Sequence, residues 1–187
     1  LALGNVDKSL EESRRAFEID RSRFRSLAVA KVRAGQVGEM IRLMADIYEE
    51  VPEDRLKVAR ILSSGLVSGK PTKAELEQAD EILVKAMAAY PRDFGLWASV
   101  ASVRVLQERQ AEGIALLEQA LRWSPDSPIV LNNLATLLIE SDDSQQKKRA
   151  LTLIDRAIGN LGRNPALLDT RGMVLFGLGR VDEAVNN

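Results

Sequence analysis

The chain has 187 residues, with 26 lysines and arginines against 27 aspartates and glutamates, so bulk electrostatics give no reason to expect nucleic acid as a partner. It contains no cysteine and no histidine, which removes disulfides, thiol nucleophiles, imidazole acid–base groups and the usual zinc and haem ligands together. An apolar share of 45% suffices for a substantial core, and the compartment stays open because a cysteine-free chain folds equally well inside or outside the cell.

Charge-poor stretches such as Phe94 to Val103 are far too short to span a membrane, and the opening LALGNVDKSLEESRR lacks the basic-then-apolar order of a signal peptide. No membrane insertion is expected. The start at Leu1 without a methionine, and the stop at Asn187 inside a helical pattern, read as a piece of a longer protein.

Apolar residues recur at helical spacing from end to end, and no stretch alternates in the manner of a strand. Asp7 to Ile19 forms the first expected helix. Gly35, Pro52, SGKP (68–71), Pro91, SPDSP (124–128), SDDS (141–144), GRNP (162–165) and GLGR (177–180) then cut the pattern into about eleven helices of roughly 10 to 19 residues. QQKKR (145–149) is a small basic run without interleaved aromatics and reads as a solvated helix start rather than a phosphate-binding run, and RSRFR (21–25) is read the same way. The acidic pairs Glu11–Glu12 and Glu49–Glu50 diverge by about 100° on a helix, and Asp142–Asp143 reads as part of a solvated turn leading into a helix cap, so none of them is expected to hold a metal or act on a reacting group. GLG at 177–179 follows no strand and serves as a turn between helices rather than a phosphate loop.

LWASVASVRVLQERQAEGIALLEQALRWSPD and VLNNLATLLIESDDSQQKKRALTLIDRAIGNLG superpose apart from a short insertion. Each is a helix, a polar turn, and a second helix carrying small residues, Gly113, Ala115 and Ala120 in one copy and Ala150 and Ala157 in the other. Small side chains let two antiparallel helices approach closely. Trp97, Val100, Ala101, Gly113, Leu117, Ala120 and Pro125 follow the pattern W-x2-L-G-x2-Y, A-x3-F, P over a unit of roughly 34 residues, with Arg104 in place of the usual aromatic. Leu131, Leu134, Ala135, Leu138, Ala150, Ile154 and Ala157 repeat it, with Gly162 where the closing proline belongs. Leu168, Gly172, Leu175, Gly179 and Ala184 begin a further copy, with Arg171 at an apolar position.

On these residues the chain resembles the tetratricopeptide-repeat (TPR) family. The likeness runs from Arg55 to the end and more loosely before it. It divides residues 1–187 of a single solenoid into a helix of a preceding unit (1–20), divergent repeats at 21–54 and 55–93, a repeat at 94–127, a repeat with a turn insertion at 128–164, and a truncated repeat at 165–187. The 55–93 unit departs from the pattern in its long SGLVSGKPTK turn and in Leu62, where a small residue is usual. The implied fold is all-α, a right-handed superhelical solenoid of antiparallel helix pairs.

The resemblance also implies that first helices line a concave groove. Leu131, Leu134, Ala135 and Leu138 then form the packing stripe of PIVLNNLATLLIE, and Ile129, Asn132, Thr136 and Ile139 face the groove. The same frame places Leu56, Ala59 and Ser63, then Gly95, Ala98 and Ser102, then Ala166, Asp169 and Met173 on that stripe, with Arg60, Ser99, Asn133 and Thr170 beside it. The expected partner-binding set is Arg60, Ser99, Ser102, Asn132, Asn133, Thr136 and Asp169, in a groove that is mostly small and apolar with few charges. A subgroup of the family grips C-terminal carboxylates with lysine, arginine and asparagine; Asn133 stands at the asparagine place, but Ala98, Ser102, Ala166 and Thr170 replace the basic partners, so no such clamp is expected. Asn132 and Asn133 are also open to the plainer reading of solvated or helix-bonded amides. Trp97 and Trp123 read as packing residues.

Two functions follow. One is a non-catalytic scaffold or adaptor binding a protein or peptide partner in the groove; the other is an accessory or oligomerisation domain of a larger enzyme, transporter or membrane-associated assembly. No catalytic residue, cofactor or metal site can be assembled from the residues present. The incomplete second helix DEAVNN leaves an uncovered end through which two copies can pair end to end.

Overall fold

The computed structural model describes residues 2–187, and the helical periodicity of the sequence emerges there as eleven α-helices with no strand among the described residues. They are α1 (Ala2–Ile19), α2 (Phe24–Arg33), α3 (Val37–Glu50), α4 (Arg55–Ser68), α5 (Lys73–Ala89), α6 (Phe94–Leu106), α7 (Gln110–Trp123), α8 (Pro128–Ile139), α9 (Ser144–Leu161), α10 (Pro165–Gly177) and α11 (Val181–Val185). Single 3-10 turns at Arg21–Arg23 and Pro52–Asp54 lead into α2 and α4.

Local chemistry sets the helix boundaries. Asp93, Ser127, Asp143 and Asn164 each accept a backbone N–H of the first turn of α6, α8, α9 and α10, and Pro128 and Pro165 occupy first-turn positions where no donor is needed. At α5 the cap is reciprocal: Thr72 accepts the Glu75 N–H, while the Glu75 carboxylate accepts the Thr72 N–H at 2.8 Å. Gly162 ends α9 with φ +83°, a conformation open to glycine, at the place where the repeat pattern lacks its proline.

The chain packs as two compact units, one ending at Pro91 and the other running Arg92–Asn187. In the first, α2 lies beside α4 and α3 beside α5, while α3 also packs on α4. Phe24, Met40, Met44, Leu62, Leu66 and Leu83 are its largest fully buried side chains. The long turn expected at SGLVSGKPTK is shorter than the sequence suggested, because α4 continues to Ser68 with Leu66 in the core. Gly65 permits this: a β-carbon there would lie 2.8 Å from Met40 Cε and 3.3 Å from Val32 Cγ2.

In the second unit, α6–α7, α8–α9 and α10–α11 are hairpins, and the first helices α6, α8 and α10 sit side by side. No close backbone approach joins α7 to α9; long side chains span that wider gap, with Arg149 of α9 paired to Glu118 of α7 at 2.5 Å. The unit is thus tighter along its first helices than along its second helices, which is the packing that curves a repeat array toward its first-helix side.

Five buried positions depart from the sequence expectation. Arg104, standing where the repeat pattern has an aromatic, is 5% exposed and donates to Gln107 Oε1 at 2.6 Å. Ala59, Ser63, Ala98 and Thr170 were expected on or beside the groove stripe, yet all four are buried between helices, the Ser63 and Thr170 hydroxyls donating to the Ala59 and Ala166 carbonyls of their own helices.

Candidate partner-binding surfaces

The expected site residues divide between the units. Arg60 is on α4 of the first unit, and the other six are carried by consecutive first helices of the second: Ser99 and Ser102 on α6, Asn132, Asn133 and Thr136 on α8, Asp169 on α10. Asp169 is exposed, and the five on α6 and α8 are half-buried.

Their hydrogen bonds separate them further. Ser99, Ser102 and Thr136 donate their hydroxyls to the carbonyls of Gly95, Ala98 and Asn132, one turn back on their own helices. Such back-bonding occupies the hydroxyl proton and leaves oxygen lone pairs for a ligand N–H. Asn133 donates its amide to the Ile129 carbonyl at 2.8 Å. Asn132 does the opposite: its Oδ1 is buried and has no hydrogen-bond partner. The apolar members of this face are exposed Ile129 and Met173 and half-buried Ile139.

The first unit holds a different kind of surface. A cleft of about 1160 Å³ opens between α2 and α4. The two helices run parallel: Lys57 Nζ, at the start of α4, stands 4.4 Å from the centroid of the Phe24 ring at the start of α2, and Val32 near the end of α2 meets Gly65 near the end of α4. Ala28, Val29, Val32, Met40 and Ile61 give the cleft an apolar lining. Arg25, Arg33, Lys57, Arg60 and Lys70 surround it, against the carboxylates of Glu53 and Asp54 alone. The groove of few charges foreseen from the sequence is therefore replaced, in this unit, by a basic one.

Lys31, on the same α2, is taken up elsewhere. It donates to Glu39 at 2.6 Å, and that hydrogen bond, helped by the charge of Lys31, holds the Glu39 carboxyl below its usual value. Lys57 pairs with Asp54 at 3.6 Å. Arg25, Arg33 and Lys70 have no ion pair or hydrogen bond from their side chains among the described residues. The sequence carried one signal for this cleft, the RSRFR run containing Arg25, but its other cations come from segments that meet only when α2 and α4 pack.

Among the described residues no group of three or more acidic side chains could hold a metal ion, and no helix is long and apolar enough to cross a membrane.

No protein-family model matches the chain. A trigger factor of Idiomarina loihiensis is 31% identical over 119 residues, which cover 64% of this chain and 26% of that protein. The chain thus spans about a quarter of the length of the curated relative it matches. Among solved structures, TTC0263, a thermophilic TPR protein of Thermus thermophilus, superposes with a TM-score of 0.65 at 24% identity, over 100% of this chain and 93% of the other. A MamA RS-1 double mutant (TM-score 0.56, 13% identity, 87% of each chain) and MamA MSR-1 (TM-score 0.51, 17% identity, 90% and 92%) share the architecture. The fold is the all-α helical-repeat solenoid fold of tetratricopeptide-repeat proteins.

Proposed function

We propose that this chain is a non-catalytic interaction module that holds a segment of a partner protein along its first helices. The observation that carries the reading is the half-buried Asn132 side chain on the face where α6, α8 and α10 lie side by side. Around it, back-bonded hydroxyls keep accepting lone pairs, and exposed Ile129 and Met173 supply apolar contact, the combination by which an extended or helical segment gains both register and affinity.

A photo-crosslinking side chain at Asp169, on the first-helix face, and another at Thr152, exposed on α9, test this in an extract of the source cells. The reading expects a protein adduct from position 169 that weakens on adding Asn132→Ala, and little from position 152. Equal adducts from both positions, or none from 169, overturn it.

A second reading, an accessory or oligomerisation segment of a larger assembly, draws on the exposed apolar side chains of α10 and α11: Phe176 and Val185 are 68% and 80% exposed, with Val181 between them in sequence. Two copies meeting end to end through these side chains would sediment as a dimer that Phe176→Asp dissociates; a wild-type monomer at micromolar concentration removes this reading.

A further inference from the structure

We infer that the α2–α4 cleft of the first unit takes an acidic segment of a partner protein, with carboxylates grouped toward both ends of the cleft and apolar side chains between them. This rests on the reading that first-helix faces hold partner segments, and it assigns the chemistry of one of them.

Charge complementarity is the first argument. The chain as a whole is nearly neutral, yet five cationic side chains and two carboxylates line this cleft. Arg25, Arg33 and Lys70 are exposed and are not neutralised by any described neighbour. A partner carboxylate meeting them displaces only water, and the arginine forks can take it bidentately.

The positions of the charges give a spacing. Because α2 and α4 are parallel, Arg25 and Lys57 mark one end of the cleft, and Arg33 and Lys70 mark the other. Arg25 and Arg33 are eight residues apart on α2, hence about 12 Å along its axis. Carboxylates separated by about four residues in an extended partner, or by seven or eight in a helical one, match that distance. Val29, exposed on α2, and half-buried Val32 and Ile61 lie between the two ends, where a partner leucine or valine would be covered.

The lining argues against a nucleic acid. No aromatic side chain lines the cleft, so there is no platform for a base, and the apolar floor gives a sugar–phosphate chain nothing to bond. Glu53 and Asp54 at the Lys57 end would also repel a continuous phosphate backbone, whereas a peptide can present a neutral or basic side chain to them.

The test uses the whole 187-residue chain and fluorescence anisotropy with three labelled probes: a twelve-residue peptide with two glutamate pairs flanking Leu-Val-Leu, the same peptide with glutamine for glutamate, and a twelve-nucleotide oligothymidylate. The glutamate peptide should bind at least tenfold more tightly than the other two. Arg25→Glu with Arg33→Glu should weaken it at least tenfold, and Arg25→Gln with Arg33→Gln should do so by a smaller factor; circular dichroism should show both variants folded. Thr152→Ala, at an exposed position of α9, should leave this binding unchanged. Equal binding of the glutamine peptide, tighter binding of the oligonucleotide, absence of binding, or indifference to the arginine substitutions overturns the inference. If the peptide instead loses affinity on Asn132→Ala but not on the arginine changes, the cleft assignment fails while the first-helix reading stands.

Discussion

Gly113 of α7 faces the main chain of α6 so closely that a β-carbon on it would lie 2.9 Å from the Ala101 carbonyl oxygen and 3.4 Å from Leu137 Cδ1. A backbone oxygen inside a helix cannot swing aside, so the hairpin itself would have to open. The helix propensity gained by alanine is about 1 kcal/mol, and overpacking costs about 1–3 kcal/mol. Gly113→Ala should therefore destabilise the second unit by about 1 kcal/mol net. Gly159→Ala is the counterpart: nothing lies within 4 Å of a β-carbon there, so the substitution should stabilise by about 0.5–1 kcal/mol. Urea unfolding of both variants checks the pair, and a stabilised Gly113→Ala would show that α6 and α7 are not held this tightly.

Arg104 offers a second comparison. Its side chain is buried, while its carboxylate neighbour Glu112, at 4.0 Å, is half exposed. That contact is long and the same carboxylate pairs with Arg109 at 2.6 Å, so packing carries the larger part of the arginine's contribution. Truncation to alanine should cost about 2–3 kcal/mol through lost packing, Arg104→Met should recover most of it by restoring the volume, and Glu112→Gln should change stability by less than about 0.5 kcal/mol. Were Glu112→Gln as damaging as Arg104→Ala, the pair rather than the packing would be the main term.

What the sequence made legible was whatever is written in neighbouring residues. Turn chemistry such as SPDSP and GRNP marks helix ends within a residue or two, and small residues reveal the hairpins because Gly113 lies at a close helix approach and Ala120, Ala150 and Ala157 are fully buried. The side-chain stripe of α8 followed from the same frame. On α4 the frame did not transfer, because that helix is covered by α2, α3 and α5 at once, which draws Ala59 and Ser63 inside together with Val58 and Leu62. The basic cleft was hidden for a related reason. Arg25 and Arg33 stand more than twenty residues from Lys57 and Lys70, in the part of the chain where the repeat pattern is weakest, and only the packing of α2 beside α4 makes them one surface.

The capping box of α5 should give the first unit an acid-sensitive element. Glu75 has its carboxyl held below its usual value, chiefly by the Thr72 N–H, with burial opposing and the Thr72 hydroxyl and the Gly38 N–H assisting. Since the folded value is the lower one, ionised Glu75 favours the fold. Its contribution is complete above the unfolded value of about 4.3 and is lost as pH falls through the folded value. Glu75→Gln should cost less than about 1 kcal/mol at pH 7, the site being largely solvent-screened, and should flatten the decline of stability between about pH 5 and pH 3. Urea midpoints at several pH values check this, and parallel curves for the two proteins would remove Glu75 as a source of acid sensitivity.

Asn132 sets stability against binding at one side chain. With Oδ1 buried and unmet, the amide lowers the stability of the free protein, while the rest of its half-buried side chain stands on the first-helix face. Asn132→Leu, with the same branching though bulkier, removes the unmet acceptor and should raise unfolding free energy by up to about 1 kcal/mol. Asn133→Leu should not, because it deletes the bond to the Ile129 carbonyl without relieving any unmet group. Partner adducts through position 169 should weaken for Asn132→Leu and persist for Asn133→Leu. Stability and capture moving in opposite directions at residue 132, and not at 133, would mark its amide as held for a partner; a loss of both would make it an ordinary structural amide.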